Sequence, residues 1–326
     1  MPRAISRIGR RPAVIEISLC VPTYNRKDIL AEMLDALEEQ TYPREKYQIV
    51  IADDASTDGT PEMVKGRVRS SECAIKYIRH ARNSGVAAAR NTTVRNADGR
   101  VLLFLDDDSL ADNKLVETHM NAHAERGFRD IAVLGVDAGR LEAEPGPFGR
   151  YIERRAENFS GKIDEYISNG DERACFGFVT MNLSVKRELL SGGYVFDERF
   201  KYCEDTDLGY RLMRRGVKLV REKRAKVFNY HPLVLEDYAG LYRARGYYSA
   251  LLEKKHPGIR EAELFPFRRG RSPLDAVYPL VGKAVSIMDY ALQVPFPEWL
   301  YERILYFYFD SGRRKALRIR DDEKRR

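Results

Sequence analysis

The chain has no long apolar run. The longest stretch without Asp, Glu, Lys or Arg covers the 12 residues from Ala174 to Val185, and it contains Thr, Asn, Ser and Gly. A membrane-spanning helix needs about 18–20 apolar residues, so a bundle of spanning helices is excluded. No apolar segment long enough for a signal peptide follows the N-terminal arginines, which predicts a cytoplasmic protein.

Cysteine is also scarce. The four cysteines are widely separated, at positions 20, 73, 175 and 203, and no C-x-x-C pair occurs. This spacing indicates neither a zinc site nor a disulfide framework. We therefore expect the thiols to be reduced, as in the cytoplasm.

Charge is plentiful but unevenly placed. The 326 residues are 44% hydrophobic and 32% charged, which excludes disorder throughout and is typical of about two structural units. The net charge of +7 divides into +4 for residues 1–15, −2 for 16–231 and +5 for 232–326. We predict a basic N-terminal tail, a central domain and a C-terminal extension with these bounds. The basic ends favour an anionic partner such as a membrane surface, a phospholipid or a nucleic acid; otherwise they are solvated tails.

The first 135 residues alternate strand-like apolar runs with helical spacing. Predicted strands cover residues 15–21, 47–52, 74–78, 101–105 and 131–136, and predicted helices cover 27–40, 60–70, 84–97 and 112–125. Apolar strands separated by helices indicate a parallel sheet covered on both faces. Beyond them we predict an irregular region at 145–194, a helix at 204–215, strands at 217–220 and 225–230, and proline-broken helices after 232.

Polar residues follow three of the predicted strands directly. They are PTYN at 22–25, Asp53 with Asp54, and the three aspartates at 106–108. Ligands of parallel sheets bind beyond the carboxyl ends of the strands. Five carboxylates at one edge repel one another unless a cation lies among them, and Mg²⁺ or Mn²⁺ prefers such oxygen ligands. An acidic turn without a ligand is the alternative interpretation of residues 106–108.

Three further positions each allow a structural and a functional interpretation. Residues 52–59 (ADDASTDG) begin like a calcium loop, but Lys65 stands where the bidentate Glu belongs, so a turn that caps the helix at Thr60 is favoured. Acidic residues at the start of the helix at 204–215 complement its dipole, or Asp205 is a general base. His231 after the last predicted strand is structural or a ligand.

Five segments in order carry a resemblance to a known family. They are CVPTYNR, ADDASTDGT, NSGVAAARN, FLDDDS and YCEDTDLGYRL, between about Ile17 and His231. Together they resemble family 2 glycosyltransferases of the nucleotide-diphospho-sugar type. The resemblance implies an α/β fold of the GT-A (Rossmann-like) type: a mostly parallel sheet flanked by helices, here with a C-terminal helical extension. The central domain, 16–231, would then be catalytic.

The resemblance also implies roles for individual residues. Pro22 and Tyr24 would line the pocket of the nucleotide base, Asp54 would accept a hydrogen bond from the base, and Asp53 would support the turn. The remaining nucleotide-sugar contacts would come from Asn25, Arg90, Asp106 at the ribose, and Asp107. Asp108 and His231 would hold a divalent metal, Mn²⁺ or Mg²⁺, and Asp205 beside Glu204 would be the catalytic base. The family often has Gly where Ala55 stands, and the acceptor loop at 176–182 matches only loosely.

The implied activity is a metal-dependent inverting transfer from a nucleotide-diphospho-sugar, most commonly a UDP-sugar, to a hydroxyl of a glycan or lipid-linked acceptor. A haloacid-type phosphatase built on Asp106 and Asp108 is disfavoured, because Leu110 stands where that fold usually has Thr or Val and the aspartates follow the fourth strand. An inactive nucleotide-sugar-binding scaffold is the other alternative; the presence of Asp54, Asp108 and Asp205 argues against it. No nucleic-acid-binding module is recognised, so no nucleic-acid partner is expected.

The C-terminal extension is aromatic and basic. Residues 295–309 (PFPEWLYERILYFYF) contain the only Trp, and basic residues follow at 313, 314, 315, 318 and 320. This composition suits the interface of an anionic membrane, with the protein peripheral on its cytoplasmic face. A packed helix with a solvated tail is the alternative.

Overall fold

The computed structural model describes residues 14–140, 145–191, 195–229, 233–259 and 277–324. The chain divides into two compact units, one drawn from residues 1–141 and 163–231 and the other from 142–162 and 232–326. Most of the predicted basic tail at 1–15 and the predicted ligand His231 lie outside the described residues.

The first unit is built on a mixed sheet of eight described strands. In chain order these are β1 Ile17–Thr23, β2 Tyr47–Asp53, β3 Ala74–Arg79, β4 Val101–Leu105, β5 Ser109–Ala111, β6 Ile131–Arg140, β7 Asn182–Lys186 and β8 Lys218–Asn229. Their order across the sheet is β3-β2-β1-β4-β7-β6-β8-β5. The first four neighbours are parallel, as are β6 and β8, whereas β7 is antiparallel to both of its neighbours and β5 to β8. The predicted α/β fold with a Rossmann-like sheet is confirmed.

Helices cover this sheet and form the second unit. They are α1 Lys27–Glu38, α2 Thr60–Ser70, α3 Val86–Asn96, α4 Leu115–Glu125, α5 Pro147–Asn169, α6 Glu204–Met213, α7 Leu235–Lys255, α8 Tyr278–Leu292 and α9 Glu298–Lys324, with short 3₁₀ helices at Arg44–Lys46, Glu172–Gly177 and Arg187–Leu190. Every residue of β1, β2 and β4 is buried, which explains why these strands are mainly apolar. On one face of the sheet Leu30, Leu34 and Leu37 of α1 complete the core.

The prediction of an irregular region at 145–194 is wrong. The 23-residue helix α5 lies there, followed by a 3₁₀ helix and by β7 in the middle of the sheet. Two glycines and several polar residues hide the helical period of α5, although Phe148, Tyr151 and Ile152 are buried at the expected spacing. Gly149 is required by packing, because a Cβ there would lie 2.6 Å from the Cβ of Pro145.

The two strands predicted at 217–220 and 225–230 are one strand, β8. Its register against β6 shifts between the pairs Leu134–Arg221 and Val136–Lys226, so that residues 222–225 bulge out of the ladder. The side-chain amide of Asn182 donates to the carbonyl of Ala225 in this bulge over 3.0 Å. The bulge therefore keeps a hydrogen-bond partner inside the sheet.

In the second unit, α7 and α9 approach each other backbone to backbone. A Cβ at Gly246 would lie 2.0 Å from the carbonyl oxygen of Phe309, and one at Gly312 would lie 1.9 Å from that of Arg243. Arg313 donates to both carboxylate oxygens of Glu253, over 2.9 and 2.8 Å. Among the described residues, no helix is both long enough and apolar enough to cross a membrane.

Candidate active site

The ends of β1, β2 and β4 meet at one edge of the sheet. These strands are adjacent and parallel, with Thr23 paired to Asp53 and Cys20 paired to Phe104. The residues that follow them, including Asp106, therefore reach the same edge. Pro22 is buried at the end of β1, whereas the side chain of Tyr24 is 45% exposed.

Asp53 holds the turn after β2. It is fully buried and accepts hydrogen bonds from the backbone N–H of Ser56 over 2.7 Å and from the hydroxyl of Tyr77 over 2.5 Å. Burial raises the pKa of Tyr77 above its usual range, and the neighbouring Asp53 raises this pKa further. Ala55 in the same turn has φ +70°, a left-handed conformation that glycine adopts more easily.

A second turn, after β1, is tied to the first. The backbone N–H of Asn25 donates to the hydroxyl of Ser56 over 2.9 Å, and the side-chain oxygen of Asn25 accepts from the N–H of Thr57 over 2.7 Å. Asn25 itself has φ +52°, which Asn tolerates better than most residues. Asn25 therefore fixes the position of both turns relative to each other.

Asp54 faces the start of α3. Its Oδ1 accepts from the N–H of Ser84 over 2.8 Å and lies 2.7 Å from Nδ1 of His80; its Oδ2 accepts from the N–H of Gly85 over 2.7 Å. The other ring nitrogen of His80 lies 2.8 Å from the hydroxyl of Thr92. His80 was not predicted as a site residue, because it lies outside the five segments that carry the resemblance.

Arg90 of α3 joins two acidic segments. It donates to Asp106 over 2.7 Å and forms a short hydrogen bond with Glu204, while its Nε has no partner among the described residues. Arg90 is 4% exposed and lies over the ring of Phe196. Burial lowers the pKa of Arg90, but the charges of Asp106, Glu204 and Asp205 prevail and raise this pKa above its usual range.

The two aspartates after Asp106 contact residues of the β1 turn. The hydroxyl of Thr23 donates to Asp107 over 2.7 Å, and Arg26 lies 3.6 Å from a carboxylate oxygen of Asp108. Burial raises the pKa of Asp107 to about 7; the hydrogen bond from Thr23 opposes this change and the charge of Asp108 adds to it. Arg26 belongs to the CVPTYNR segment, but the sequence did not reveal its contact.

The acidic residues at the start of α6 have different surroundings. Glu204 is buried and bound to Arg90, and Asp207 is buried and accepts from Nε of Arg211 over 2.9 Å. Asp205 is partly exposed, and its Oδ1 accepts from the N–H of Thr206 over 2.7 Å. Cys203, before the helix, has φ +65°. This arrangement leaves Asp205 as the carboxylate of the three that solvent reaches.

The three carboxylates at 106–108 are the candidate ligands of a metal ion. Within the described ranges, no three His, Cys, Asp or Glu side chains group closely enough to hold an ion by themselves. The chemistry nevertheless suits a hard divalent cation, because three successive carboxylates supply oxygen donors.

Residues 176–182, the loosely matching acceptor loop, are mainly buried. Phe176 lies in the 3₁₀ helix, Phe178 and Thr180 are buried in the connection, and Asn182 begins β7.

Of the predicted site residues, Arg90, Asp106 and Glu204 are in direct contact. The other described ones lie at the ends of β1, β2 and β4, in the turns that follow these strands, and at the start of α6.

Comparison with known proteins identifies the family. Residues 18–183, slightly more than half of the chain, match the sequence model of "Glycosyl transferase family 2". The chain belongs to this family.

Two curated relatives and one solved structure illustrate the similarity. The chain is 28% identical over 209 residues to "Glycosyltransferase AglE" of Haloferax volcanii, covering 60% of this chain and 63% of that protein. It is 24% identical to "Amylovoran biosynthesis glycosyltransferase AmsB" of Erwinia amylovora, covering 83% and 87%. The mannosyltransferase PcManGT from Pyrobaculum calidifontis, solved with GDP-Man and Mn²⁺, shares the fold with a TM-score of 0.61 at 21% identity, over 96% of this chain and 90% of that one.

The match with this chain covers 63% of the length of AglE and 52% of the validoxylamine A glucosyltransferase of Streptomyces hygroscopicus subsp. jinggangensis. The residues that match the family model include Arg90 and Asp106 and end before Glu204 and Asp205.

Proposed function

We propose that the protein is an inverting, metal-dependent glycosyltransferase that moves a sugar from a nucleotide-diphospho-sugar to a hydroxyl of a glycan or lipid-linked acceptor. The observation that carries this proposal is the bridge made by Arg90, which ties Asp106 after β4 to Glu204 at the start of α6. Through this bridge, Asp106, on the proposed donor side, and Asp205, which follows Glu204, belong to one site.

The turns after β1 and β2 would hold the nucleoside. Pro22 and Tyr24 offer an apolar wall for the base, with Asn25 fixing the loop that carries them. Asp54 Oδ2 accepts one hydrogen bond, from Gly85, and a carboxylate oxygen accommodates a second donor such as a base N–H. Asp106 would bind the ribose, held in place by Arg90, and Asp107 would stay bound to Thr23.

Asp108 and His231 would hold the divalent ion, Mn²⁺ or Mg²⁺, with diphosphate oxygens as further ligands. When bound, the ion neutralises charge on the leaving diphosphate. Support comes from the donor chemistry of residues 106–108 and from PcManGT, whose structure contains Mn²⁺. Arg26 beside Asp108 adds a second positive charge where the diphosphate would lie.

Asp205 would act as the general base. The acceptor oxygen forms a bond to the anomeric carbon from the face opposite the diphosphate, its proton passes to Asp205, and the bond between the anomeric carbon and the diphosphate oxygen breaks. Attack from the opposite face inverts the anomeric configuration. The partial exposure of Asp205 gives an acceptor hydroxyl access to it, whereas Glu204 is occupied by Arg90 and would position the base.

The donor and the acceptor are proposed as chemical classes. We expect a UDP-sugar, as is most common in the family, with a GDP-sugar as the competing donor because PcManGT was solved with GDP-Man. A polysaccharide or its lipid-linked precursor as acceptor is consistent with the similarity to AmsB, a glycosyltransferase of amylovoran biosynthesis. Membership of glycosyl transferase family 2 leaves no support for the phosphatase alternative.

A thermal-shift screen tests the donor side of this proposal. Nucleotide sugars are added with and without Mn²⁺, and a true donor at a hundredfold excess over Kd stabilises the fold by about 2.7 kcal/mol. We expect this stabilisation to require the metal and to be lost in Asp108→Asn but kept in the control Asp98→Asn, an exposed carboxylate bound to Lys76. Equal stabilisation of both variants would contradict the assignment of Asp108, and turnover of none of the stabilising donors would favour the inactive scaffold.

A further inference from the structure

Helix α8 buries one face and exposes apolar side chains on the opposite face. Its inner face, with Tyr278, Gly282, Val285, Ser286 and Asp289, is buried, and Gly282 lies against Ile304 of α9. On the outer face, the apolar side chains are exposed: Leu280 by 75%, Ile287 by 57% and Met288 by 39%. At 100° per residue, positions 280, 284, 287 and 291 fall opposite the buried face. Exposed apolar side chains grouped on one face mark an interaction site, so this outer face calls for an occupant.

The outer face also carries little charge. Within Tyr278–Leu292, all of which the structure describes, the charged residues are Lys283, which is exposed, and Asp289, which is buried. Aromatic side chains are exposed near the end of the helix, with Tyr290 at 61% and Trp299, at the start of α9, at 60%. Such a combination of aliphatic, aromatic and basic side chains is typical of helices that lie in a lipid interface.

Within the aromatic segment predicted to meet a membrane, every aromatic side chain of α9 except that of Trp299 is buried or partly buried. Tyr301, Ile304, Leu305 and Phe309 of α9 are buried inside the second unit. Trp299 is the large exposed side chain that remains at this end of α9. The structure therefore moves the candidate contact from α9 to α8.

We propose that the outer face of α8 binds the surface of an anionic lipid bilayer, with the helix lying in the interface. The area argues against a second copy as the occupant: a 15-residue helix is about 22 Å long and about 10 Å wide, which gives roughly 200 Å². A stable protein interface needs about 800 Å² on each partner. Lys283, the exposed charged side chain of α8, complements anionic headgroups.

Vesicle flotation of the full chain tests this proposal without donor or acceptor, so it is independent of the proposed function. The probes are phosphatidylcholine vesicles with and without 30 mol% phosphatidylserine, an amount chosen on the order of that in a charged leaflet. Two variants remove the outer face: Leu280→Ser with Ile287→Ser, which keeps the charge, and Leu280→Glu with Ile287→Glu. The matched control is Leu317→Glu with Ile319→Glu, which adds the same charge at exposed apolar positions of α9.

We expect the wild type and the α9 control to float with anionic vesicles and both α8 variants to lose at least tenfold in partitioning. Tryptophan fluorescence reports on the same contact in a Trp299→Phe background. The emission of Leu280→Trp should shift to the blue when anionic vesicles are added, whereas that of Leu317→Trp should not. Circular dichroism confirms that each variant is folded.

Four results would overturn the proposal. The wild type fails to float at low salt, or the α9 control loses binding while the α8 variants keep it. The α8 variants dissociate a dimer in light scattering, which assigns the face to a second copy. Finally, the wild type does not bind vesicles and the variant Leu280→Ser with Ile287→Ser has a much lower Tm. This result would assign the outer face of α8 to packing against another part of this chain.

Discussion

Arg90 and Glu204, 114 residues apart, form a buried ion pair between α3 and the first residue of α6. The same guanidinium also binds Asp106 after β4. Because Arg90 is one charge between two carboxylates, removing it leaves the buried Glu204 and the partly exposed Asp106 without compensation. The bridge therefore explains how a helix and a strand end from different parts of the chain are held at one site.

Arg90→Ala should lower the free energy of unfolding by about 3–5 kcal/mol, the range expected when one partner of a buried ion pair is removed. Urea denaturation measures this loss, as a change in the unfolding transition of the first unit. Adding Glu204→Gln to Arg90→Ala should recover part of it, because the uncompensated charge is then absent. A loss below about 1 kcal/mol, or no recovery in the double variant, would show that the bridge is not structural.

His80→Phe should weaken nucleotide binding by roughly tenfold, since Asp54 loses the ring nitrogen that orients its carboxylate. His80→Asn keeps a donor near Asp54 and serves as the matched control, with a smaller loss expected. Titration calorimetry with the nucleotide measures both. Equal affinities for wild type and His80→Phe would separate His80 from the nucleotide site.

Two buried histidines should make stability fall in acid. Burial lowers the pKa of His119 to about 4 and that of His123 to about 3, from an ordinary value of 6.5. Between pH 6.5 and about 4 the unfolded chain binds protons that the folded protein does not, so stability is complete above pH 6.5 and is lost as the pH falls. Each histidine contributes a slope of about 1.4 kcal/mol per pH unit in that window.

His123→Phe should remove the contribution of one histidine to this pH dependence of stability. The ring stacks on Phe128 and its Nε2 lies 2.9 Å from the hydroxyl of Ser184, so Phe keeps the stacking and loses one contact. Chemical denaturation at several pH values from 4 to 6.5 should then give a pH dependence flatter by about 1.4 kcal/mol per unit. An unchanged slope would mean that His123 is protonated in the folded protein.

Gly312→Ala should destabilise the second unit by at least 1–3 kcal/mol, because the added Cβ would meet the carbonyl of Arg243 at 1.9 Å. The matched control is Gly240→Ala on α7, where a Cβ has nothing within 4 Å and helix propensity favours Ala by about 0.5–1 kcal/mol. Thermal unfolding should therefore move in opposite directions for the two variants. Equal shifts would contradict the close approach of α7 and α9.

The edge of the sheet could be predicted because its signals are local. The apolar runs of β1, β2 and β4 and the polar residues that follow them lie within a few positions of each other, and the rule for parallel sheets brings them together. The resemblance to the family then implied a role for each of these residues. Asp53, Asp54 and residues 106–108 were placed at the edge in this way.

Contacts between distant segments could not be predicted. The partner of Arg90 lies 114 residues away, and the contact of Asn182 with the β8 bulge depends on a register shift that no local pattern encodes. Helix α5 was missed because its glycines and polar residues obscure the period, and its buried positions are defined only by the neighbours that cover them. Likewise, only the folded chain shows that Tyr301 and Phe309 of α9 are buried, whereas Trp299 is exposed.

The most direct test of the account is the transferase activity of Asp205→Asn. With the donor found in the thermal-shift screen and an acceptor, transfer should fall by about 10²–10⁴-fold, the usual effect of removing a positioned base, while donor affinity stays unchanged. Asp98→Asn, the exposed control, should transfer at the wild-type rate. Transfer by Asp205→Asn within a few-fold of the wild type, or a product that retains the anomeric configuration of the donor, would contradict the assignment of Asp205 as the base of an inverting reaction.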